Sequence, residues 1–201
     1  MYRSFLSAAA LAIALFGSAQ SYVHQVLVLN EGYYDLVGGT QTIPVTLGSF
    51  DPSTGTYTTV ATITGPRFGT DVLVDGASIY VAADDRVLRY DADSYALLDE
   101  TEVPGVRKLA VWNDQLLITR GELGGLSHYF EVRDKNDLAF LYSIAPVDGL
   151  PFSVEDVLVH DNKAYLAVNN SFDWANLQGR IGAVELVAQT YGNEVDLGLD
   201  G

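Results

Sequence analysis

The residues Asp71-Val-Leu-Val-Asp-Gly-Ala-Ser-Ile-Tyr-Val-Ala-Ala-Asp84 decide the fold of this chain. They read as one β-strand, a tight turn and a second apolar strand. The pattern returns at residues 108–120 and again at residues 156–169. We predict a tight turn in each copy, at Asp75-Gly76, Asn113-Asp114 and Asp161-Asn162. The chain is therefore built on a repeat.

The copies keep a common register over two further strands. The first strands align at Leu73, Ala110 and Leu158, and the second strands at Ile79, Leu116 and Ala164. We predict that third strands close at Tyr90-Asp91, Arg133-Asp134 and Leu186-Val187, and that fourth strands open at Tyr95, Leu138 and Tyr191. Phe50-Asp51 and Tyr57 fit the same template, with a turn that we expect to be two residues longer. Four strands in ~40 to 45 residues is the period of a β-propeller blade.

We therefore predict an all-β fold, a partial β-propeller of about four four-stranded antiparallel blades. The first unit lacks its first strand and starts at Val26, and residues 33–42 read as a Gly-rich loop. The second unit runs to Gly105 and the third to Gly149. The fourth unit carries an inserted loop at residues 170–178 between its second and third strands.

Residues 1–19 have the features of a secretory signal peptide. Arg3 precedes an apolar run at residues 5–16, and Gly17-Ser-Ala19 supplies the small residues of a cleavage site. We expect cleavage before Gln20, which leaves one domain, residues 20–201. That domain is expected to be exported, to the periplasm or to the cell surface and extracellular space.

Composition narrows the classes of function. The chain has no cysteine, which excludes a thiol nucleophile and a Cys-ligated zinc site. Its formal net charge is −15, and such a field repels nucleic-acid phosphates and anionic lipid headgroups. After the signal peptide no segment is long and apolar enough for membrane insertion. We therefore expect neither nucleic-acid binding nor membrane insertion.

Three stretches carry a family resemblance. Val28-Leu-Asn-Glu-Gly32, Ile79-Tyr-Val-Ala-Ala83 and Ala164-Tyr-Leu-Ala-Val-Asn-Asn170 resemble the inner-strand motif of secreted bacterial YVTN-type (quinoprotein-like) β-propellers. Phe50-Asp-Pro-Ser-Thr-Gly55 resembles the outer-strand turn of that family. The resemblance implies a ring of about seven blades. We therefore expect this chain to be a truncated piece of such a ring, and a self-closed four-bladed ring is the alternative.

The candidate binding residues lie in loops that a propeller gathers at its rim and channel mouth. Arginine suits bidentate recognition of carboxylate or phosphate, while aromatic rings suit flat ligands and sugars. The predicted ligand-binding residues are Arg67, Phe68, Arg107, Arg120, Glu31, Asn169 and Trp174. The alternative is that Arg67 and Arg107 pair with blade carboxylates such as Asp71 and Glu102 and stiffen the contacts between blades.

Signals for catalysis are weak. His24, His128 and His160 are scattered without metal-ligand spacing, and no Gly-x-Ser-x-Gly elbow is present. We expect no cofactor and no resident metal. Calcium is the alternative that we keep open, at Asp84-Asp85 or Asp91-Ala-Asp93, because these turns supply hard oxygen ligands.

The sequence favours a secreted, non-catalytic binding or interaction module of the bacterial envelope. Its partner is expected to be a protein, a glycan or a small anionic ligand. Two alternatives stay open. One is an enzyme on a propeller scaffold, a hydrolase or a quinone-dependent oxidoreductase with its site at the channel mouth. The other is a non-functional fragment of a longer propeller.

Overall fold

The computed structural model describes residues 25–170, residue 173 and residues 175–198. The predicted signal peptide at residues 1–19 lies outside the described residues, and so does Trp174. Within the described part of the chain, no helix is long and apolar enough to cross a membrane. The regular structure is almost entirely β-strand, with one 3₁₀ turn at Pro146–Asp148.

The described strands form four blades in chain order and one added hairpin. The first blade is the three-stranded sheet β1 (Val26–Asn30), β4 (Val45–Asp51) and β5 (Thr56–Ile63). The hairpin is β2 (Tyr33–Asp35) and β3 (Thr40–Ile43), inserted between β1 and β4. The second blade contains β6 (Asp71–Asp75), β7 (Ser78–Ala83), β8 (Arg86–Asp91) and β9 (Leu97–Glu102). The third contains β10 (Val106–Trp112), β11 (Gln115–Arg120), β12 (Phe130–Asp134) and β13 (Phe140–Ile144). The fourth contains β14 (Ser153–His160), β15 (Lys163–Asn169), β16 (Gly179–Glu185) and β17 (Thr190–Gly198).

This arrangement confirms the predicted all-β partial propeller and its blade boundaries. Neighbouring strands within each blade pair antiparallel. The described part of the first blade has three strands and starts at Val26. The predicted absence of a first strand concerns residues before Gln25, which lie outside the described residues. The prediction of a Gly-rich loop at residues 33–42 was wrong, because β2 and β3 pair there, from Tyr33 opposite Ile43 to Asp35 opposite Thr40.

The tight turn between the first two strands of a blade depends on a left-handed residue. Gly76, Asn113 and Asp161 have φ of 57°, 54° and 53°. Two-residue hairpin turns require such a positive φ, and Gly, Asn and Asp adopt it at the lowest cost. In the second blade Asp75 pairs with Ser78, so the turn residues are Gly76-Ala77. The predicted turn at Asp75-Gly76 was therefore one residue early.

The turn between the third and fourth strands is the same in all four blades. The amide of its fifth residue, which has a positive φ, donates a hydrogen bond of 2.7–3.0 Å to the carbonyl of its first residue. The donor and acceptor pairs are Gly55 to Asp51, Tyr95 to Asp91, Leu138 to Asp134 and Gln189 to Glu185. Three predictions were wrong here. The first turn is not longer than the others, Tyr95 and Leu138 belong to turns, and the third strand of the fourth blade ends at Glu185 rather than Leu186-Val187.

Apolar cores lie between neighbouring blades. We call the side of a blade that packs on the next blade its forward face, and the opposite side its backward face. The forward face of the second blade, with Tyr80, Ala82 and Val87, packs on Leu116 and Ile118 of the third. Two further cores join the first blade to the second and the third blade to the fourth. Alternating side chains thus bury both faces of the two middle blades.

The four blades form an open arc in this structure. Val26 and Tyr57 on the backward face of the first blade are exposed, and so are Tyr165 and Ile181 on the forward face of the fourth. A chain that closed on itself would bury these two faces against each other, because they would then be neighbours in the ring. The alternative of a self-closed four-bladed ring is therefore not the arrangement found.

One glycine tests the packing of the fourth blade on the third. A Cβ on Gly182 would lie 2.1 Å from the Tyr191 hydroxyl, whereas a Cβ on Gly192 would meet nothing within 4 Å. We expect Gly182→Ala to lower the free energy of unfolding by about 1–3 kcal/mol, because Tyr191 must leave its place in the core. Gly192→Ala, the matched control, should change it by less than about 0.5 kcal/mol. Urea denaturation measures both, and equal effects would contradict this account.

Candidate functional site

The candidate residues that the structure describes lie at one end of the blades. Glu31, Arg67 and Phe68 are in loops or linkers as predicted, whereas Arg107, Arg120 and Asn169 were wrongly placed in loops, because they lie near the ends of β10, β11 and β15. In a meander of antiparallel strands, the segment leading into the first strand and the loop after the second strand lie at the same end. We call this end the rim. Its loops connect the second and third strands at residues 31–44, 84–85 and 121–129, and its linkers between blades span residues 64–70, 103–105 and 145–152. In the fourth blade the described residues of this loop are 170, 173 and 175–178.

Arg67 ties three of these rim segments together. Its Nη2 lies 2.6 Å from Asp84 Oδ1 and 2.7 Å from Glu122 Oε2, and its backbone amide donates to Asp84 Oδ2 at 3.0 Å. Asp84 is buried, and the hydrogen bonds from Arg67 to Asp84 raise the pKa of the guanidinium above its usual value. Arg67 is therefore a clamp between the second and third blades. Its expected partner Asp71 instead accepts a hydrogen bond from the amide of Leu109 at 2.9 Å.

The aspartates that were considered as calcium ligands form hydrogen bonds with protein groups in this structure. Asp84 is held by Arg67, and Asp85 accepts a hydrogen bond of 2.8 Å from Arg86 Nε. Asp91 caps its own turn by accepting hydrogen bonds from the Ser94 amide and hydroxyl at 2.8 and 2.7 Å. Within the described ranges no three His, Asp or Glu side chains form a group that could hold a metal ion. The expectation of no resident metal stays a prediction, with calcium as its alternative.

A cleft of about 280 Å³ lies between the hairpin and the linker of the first two blades. The Arg67 guanidinium lies 5.3 Å from the centre of the Phe68 ring, and both side chains form one wall. We call this space the hairpin cleft. Three predicted residues, Glu31, Arg67 and Phe68, meet here, and the other lining residues are Gly32, Tyr33, Tyr34 and Leu36.

The hairpin is fixed at its base. Gln41 Nε2 donates to the Pro66 carbonyl at 2.6 Å, and Gln41 Oε1 accepts from the Gly65 amide at 3.1 Å. The Gly69 amide donates to the Glu31 carbonyl at 3.2 Å. These bonds hold the strand-paired insertion against the linker, so the cleft is preformed rather than assembled from two free loops.

Arg120 is placed differently from the other candidates, because it is buried between the second and third blades. Its Nη1 lies 3.0 Å from Glu131 Oε2, and its Nε donates to the Pro104 carbonyl at 2.9 Å. Glu131 also binds His128 and Arg133, each at 2.7 Å. Burial lowers the pKa of Arg120, although the charge of Glu131 opposes this shift. Arg120 is therefore buried and paired with Glu131 in this structure, and its role in ligand binding stays a prediction.

The carboxyl group of Glu131 stays ionised in this buried cluster. Burial alone would raise its pKa, but hydrogen bonds from His128 and Arg133 and the charges of Arg133 and Arg120 outweigh it, so the pKa is lowered. Glu131, His128 and Arg133 were not among the predicted site residues. The sequence did contain a signal for this cluster, because Glu131 and Arg133 are charged residues within the strand Phe130–Asp134.

Arg107 and Asn169 are the remaining candidates that the structure describes, and they lie near the start of β10 and at the end of β15. Arg107 Nε is 3.7 Å from Glu155 Oε2, so its nearby carboxylate is Glu155 rather than the expected Glu102. Asn169 ends β15 beside Asn170. Asn170 lines a second rim cleft of about 250 Å³ together with Glu122, Gly124, Gly125, Tyr129, Pro151, Phe152, Ser153 and Asp173. Of the predicted residues that the structure describes, three line the hairpin cleft and Arg120 lies in a buried cluster, whereas Arg107 and Asn169 line neither rim cleft.

The Arg67 clamp can be tested by its effect on stability. We expect Arg67→Met to lower the free energy of unfolding by about 2 kcal/mol, because the Asp84 carboxylate is then left buried without its partner. Arg86→Met is the matched control and should cost less than about 1 kcal/mol, since its partners Asp85 and Glu100 are exposed. Chemical denaturation compares the two variants. Equal losses of unfolding free energy in the two variants would show that the Arg67 ion pairs stabilise the fold no more than the exposed Arg86 pairs do.

The buried Glu131 cluster should make stability depend on pH in acid. The folded-state pKa of Glu131 lies below its unfolded value, so its contribution is fully present above about pH 4.3 and is lost as the pH falls through the folded-state pKa. We expect Glu131→Gln to flatten the fall of the unfolding free energy between neutral and acidic pH. Denaturation series at several pH values measure this slope, and an unchanged slope would contradict the assignment.

Comparison with solved structures supports the fold. The chain is similar to BamB from Moraxella catarrhalis, with a TM-score of 0.54 and 16% identity over 85% of this chain and 54% of that one. It is also similar to a europium-containing methanol dehydrogenase, with a TM-score of 0.51 and 18% identity over 66% of this chain and 25% of that one. Both are β-propeller proteins.

These similarities extend over only part of each propeller. The chain spans about half the length of BamB and a quarter of the length of the methanol dehydrogenase. No protein-family profile matches the sequence, and no curated protein matches it. Identities below 20% identify a shared scaffold and leave activity open, because one fold carries many functions. The chain has a β-propeller scaffold.

Proposed function

We propose that this chain is an exported, non-catalytic β-propeller binding module of the bacterial envelope, and that its hairpin cleft takes a neutral glycan. The observation that carries the proposal is the grouping of Glu31 with the rings of Tyr33, Tyr34 and Phe68 in one preformed cleft. Sugars are bound by aromatic surfaces together with a few fixed polar groups, and this cleft offers both. Export is inferred from residues 1–19 alone.

The charges of the cleft favour a ligand that donates hydrogen bonds. Within the described part of the chain, no hydrogen bond or ion pair reaches the Glu31 carboxylate, which is therefore open to hydroxyl groups. The nearby cation, Arg67, is already neutralised by Asp84 and Glu122. A small anionic ligand would have to displace one of these carboxylates in a chain of net charge −15. These features count against the anionic class of partner.

Two substitutions test the cleft. Tyr33 is 59% exposed and Glu31 is exposed, so neither change should disturb the core. We expect Tyr33→Ala and Glu31→Gln each to weaken binding of an N-acetylglucosamine tetramer at least tenfold, through lost stacking and a lost acceptor. Isothermal titration calorimetry measures the affinity, with inorganic phosphate as the anionic probe.

Two control variants make the test specific. Tyr33→Phe keeps the ring and should keep most of the affinity. Asp114→Asn removes one charge at the opposite end of the third blade, in the turn between β10 and β11, and should leave binding unchanged. Absence of tetramer binding, or binding of phosphate that Glu31→Gln strengthens, would overturn the glycan assignment.

A further inference from the structure

The residues on the forward face of the fourth blade are equivalent to residues that are buried in the second and third blades. The strand registers align Tyr80 with Tyr165, Ala82 with Ala167 and Val87 with Ile181. In the second blade the exposed fractions of Tyr80, Ala82 and Val87 are 1%, 0% and 0%, and in the third blade Leu117, Thr119 and Phe130 are each 0% exposed. In the fourth blade Tyr165 is 37% exposed and Ile181 is 36% exposed. The fourth blade therefore presents an uncovered packing surface.

This surface is continuous and mainly apolar. A depression of about 260 Å³ on it is lined by Asp156, Val157, Leu158, Tyr165, Leu166, Ala167 and Ile181. The outer strand β17 adds Val195 and Leu197, which are also exposed. Contiguous exposed apolar surface of this kind marks an interaction site in a soluble protein.

The backward face of the first blade has the same tyrosine–glycine contact as the backward face of the fourth blade, which packs on the third blade. On the fourth blade the Tyr191 ring lies over Gly182, and Tyr191 belongs to the core shared with the third blade. On the first blade the Tyr57 ring lies over Gly48 in the same way, since a Cβ on either glycine would stand 2.1 Å from the tyrosine hydroxyl. Tyr57 is nevertheless 47% exposed. The first blade therefore has a backward face of the same design, and no blade of the described residues packs against it.

We propose that the forward face of the fourth blade packs on the backward face of the first blade in a second copy of this chain. The first and fourth described blades thus present the two halves of the contact that neighbouring blades form within the chain. Such a contact is heterologous, and it closes when two copies exchange it twice around a two-fold axis. The product is a ring of eight blades, within the range of four to eight blades found in propellers.

The charge distribution is compatible with this pairing. The central exposed side chains are Tyr165 and Ile181 on one face and Val26 and Tyr57 on the other, and all four are uncharged. Asp156 also lines the depression on the fourth blade, so the proposed interface contains one carboxylate beside this apolar centre. A second copy also continues a contact that is already present in the fold, and a closed ring would leave neither end face exposed.

Light scattering coupled to size-exclusion chromatography tests the proposal on the purified chain. We expect the wild-type protein to run at twice the monomer mass. Ile181→Glu on the forward face and Val26→Glu on the backward face should each raise the dissociation constant of the dimer at least about 100-fold, because a charge is placed in an apolar contact. Val147→Glu, at a 91% exposed side chain on the linker before the fourth blade, is the control and should remain dimeric.

Mixing the two variants distinguishes this geometry from other dimers. Each variant alone has both of its interfaces damaged. A mixture of Ile181→Glu and Val26→Glu restores one undamaged interface, between the wild-type forward face of one chain and the wild-type backward face of the other. We therefore expect the mixture to recover dimer that neither variant forms alone. Thermal melting confirms that both variants remain folded.

Four results would overturn the proposal. A wild-type monomer at all concentrations would assign these faces to blades supplied by a different or longer chain. A dimer that tolerates Val26→Glu would indicate a symmetric contact that uses the fourth blade alone. Two monomeric variants whose mixture recovers no dimer would show that the two faces do not pair with each other. A ladder of larger assemblies would show head-to-tail growth that does not close.

Discussion

The packing of one sheet face on the next is the interaction on which this structure depends. Each blade buries alternate side chains forwards and backwards, and the three apolar cores are the spaces between blades. The chain has no disulfide, so this repeated contact and the hydrogen bonds of the sheets hold the fold. The same contact explains why the two end blades differ from the middle blades, since each has one face without a neighbour.

Ion pairs and hydrogen bonds of polar side chains also connect neighbouring blades, both at the rim and between the sheets. Arg67 joins the linker before the second blade to the loops of the second and third blades. The Glu131 cluster reaches across the same junction, because Arg133 donates to Thr101 on the outer strand of the second blade at 3.0 Å. Both networks restrain the angle between blades two and three, and thereby the walls of the rim clefts.

The sequence allowed the blade boundaries to be predicted because strand alternation and turn chemistry are local properties. The sequence-based predictions were wrong for features that depend on which strands pair and where each turn begins. The β2–β3 hairpin pairs through a Gly-rich stretch with little apolar alternation, and Tyr95 and Leu138 look like strand residues although they occupy left-handed turn positions. Arg67 and Arg120 were placed at the correct end of their blades. Their roles depend on Asp84 and Glu131, which lie 17 and 11 residues away, and one sequence cannot show such partners.

Tyr80 and Tyr165 provide the most direct test of the claim that blade packing governs this fold. They occupy the same position in two blades, and they differ only in whether the next blade covers them. Hydroxyl-radical footprinting of dilute, monomeric protein with mass-spectrometric readout measures the reactivity of each ring. The account predicts that Tyr165 reacts several-fold faster than Tyr80, and that raising the protein concentration selectively protects Tyr165. Equal reactivity of the two rings in the monomer would contradict it.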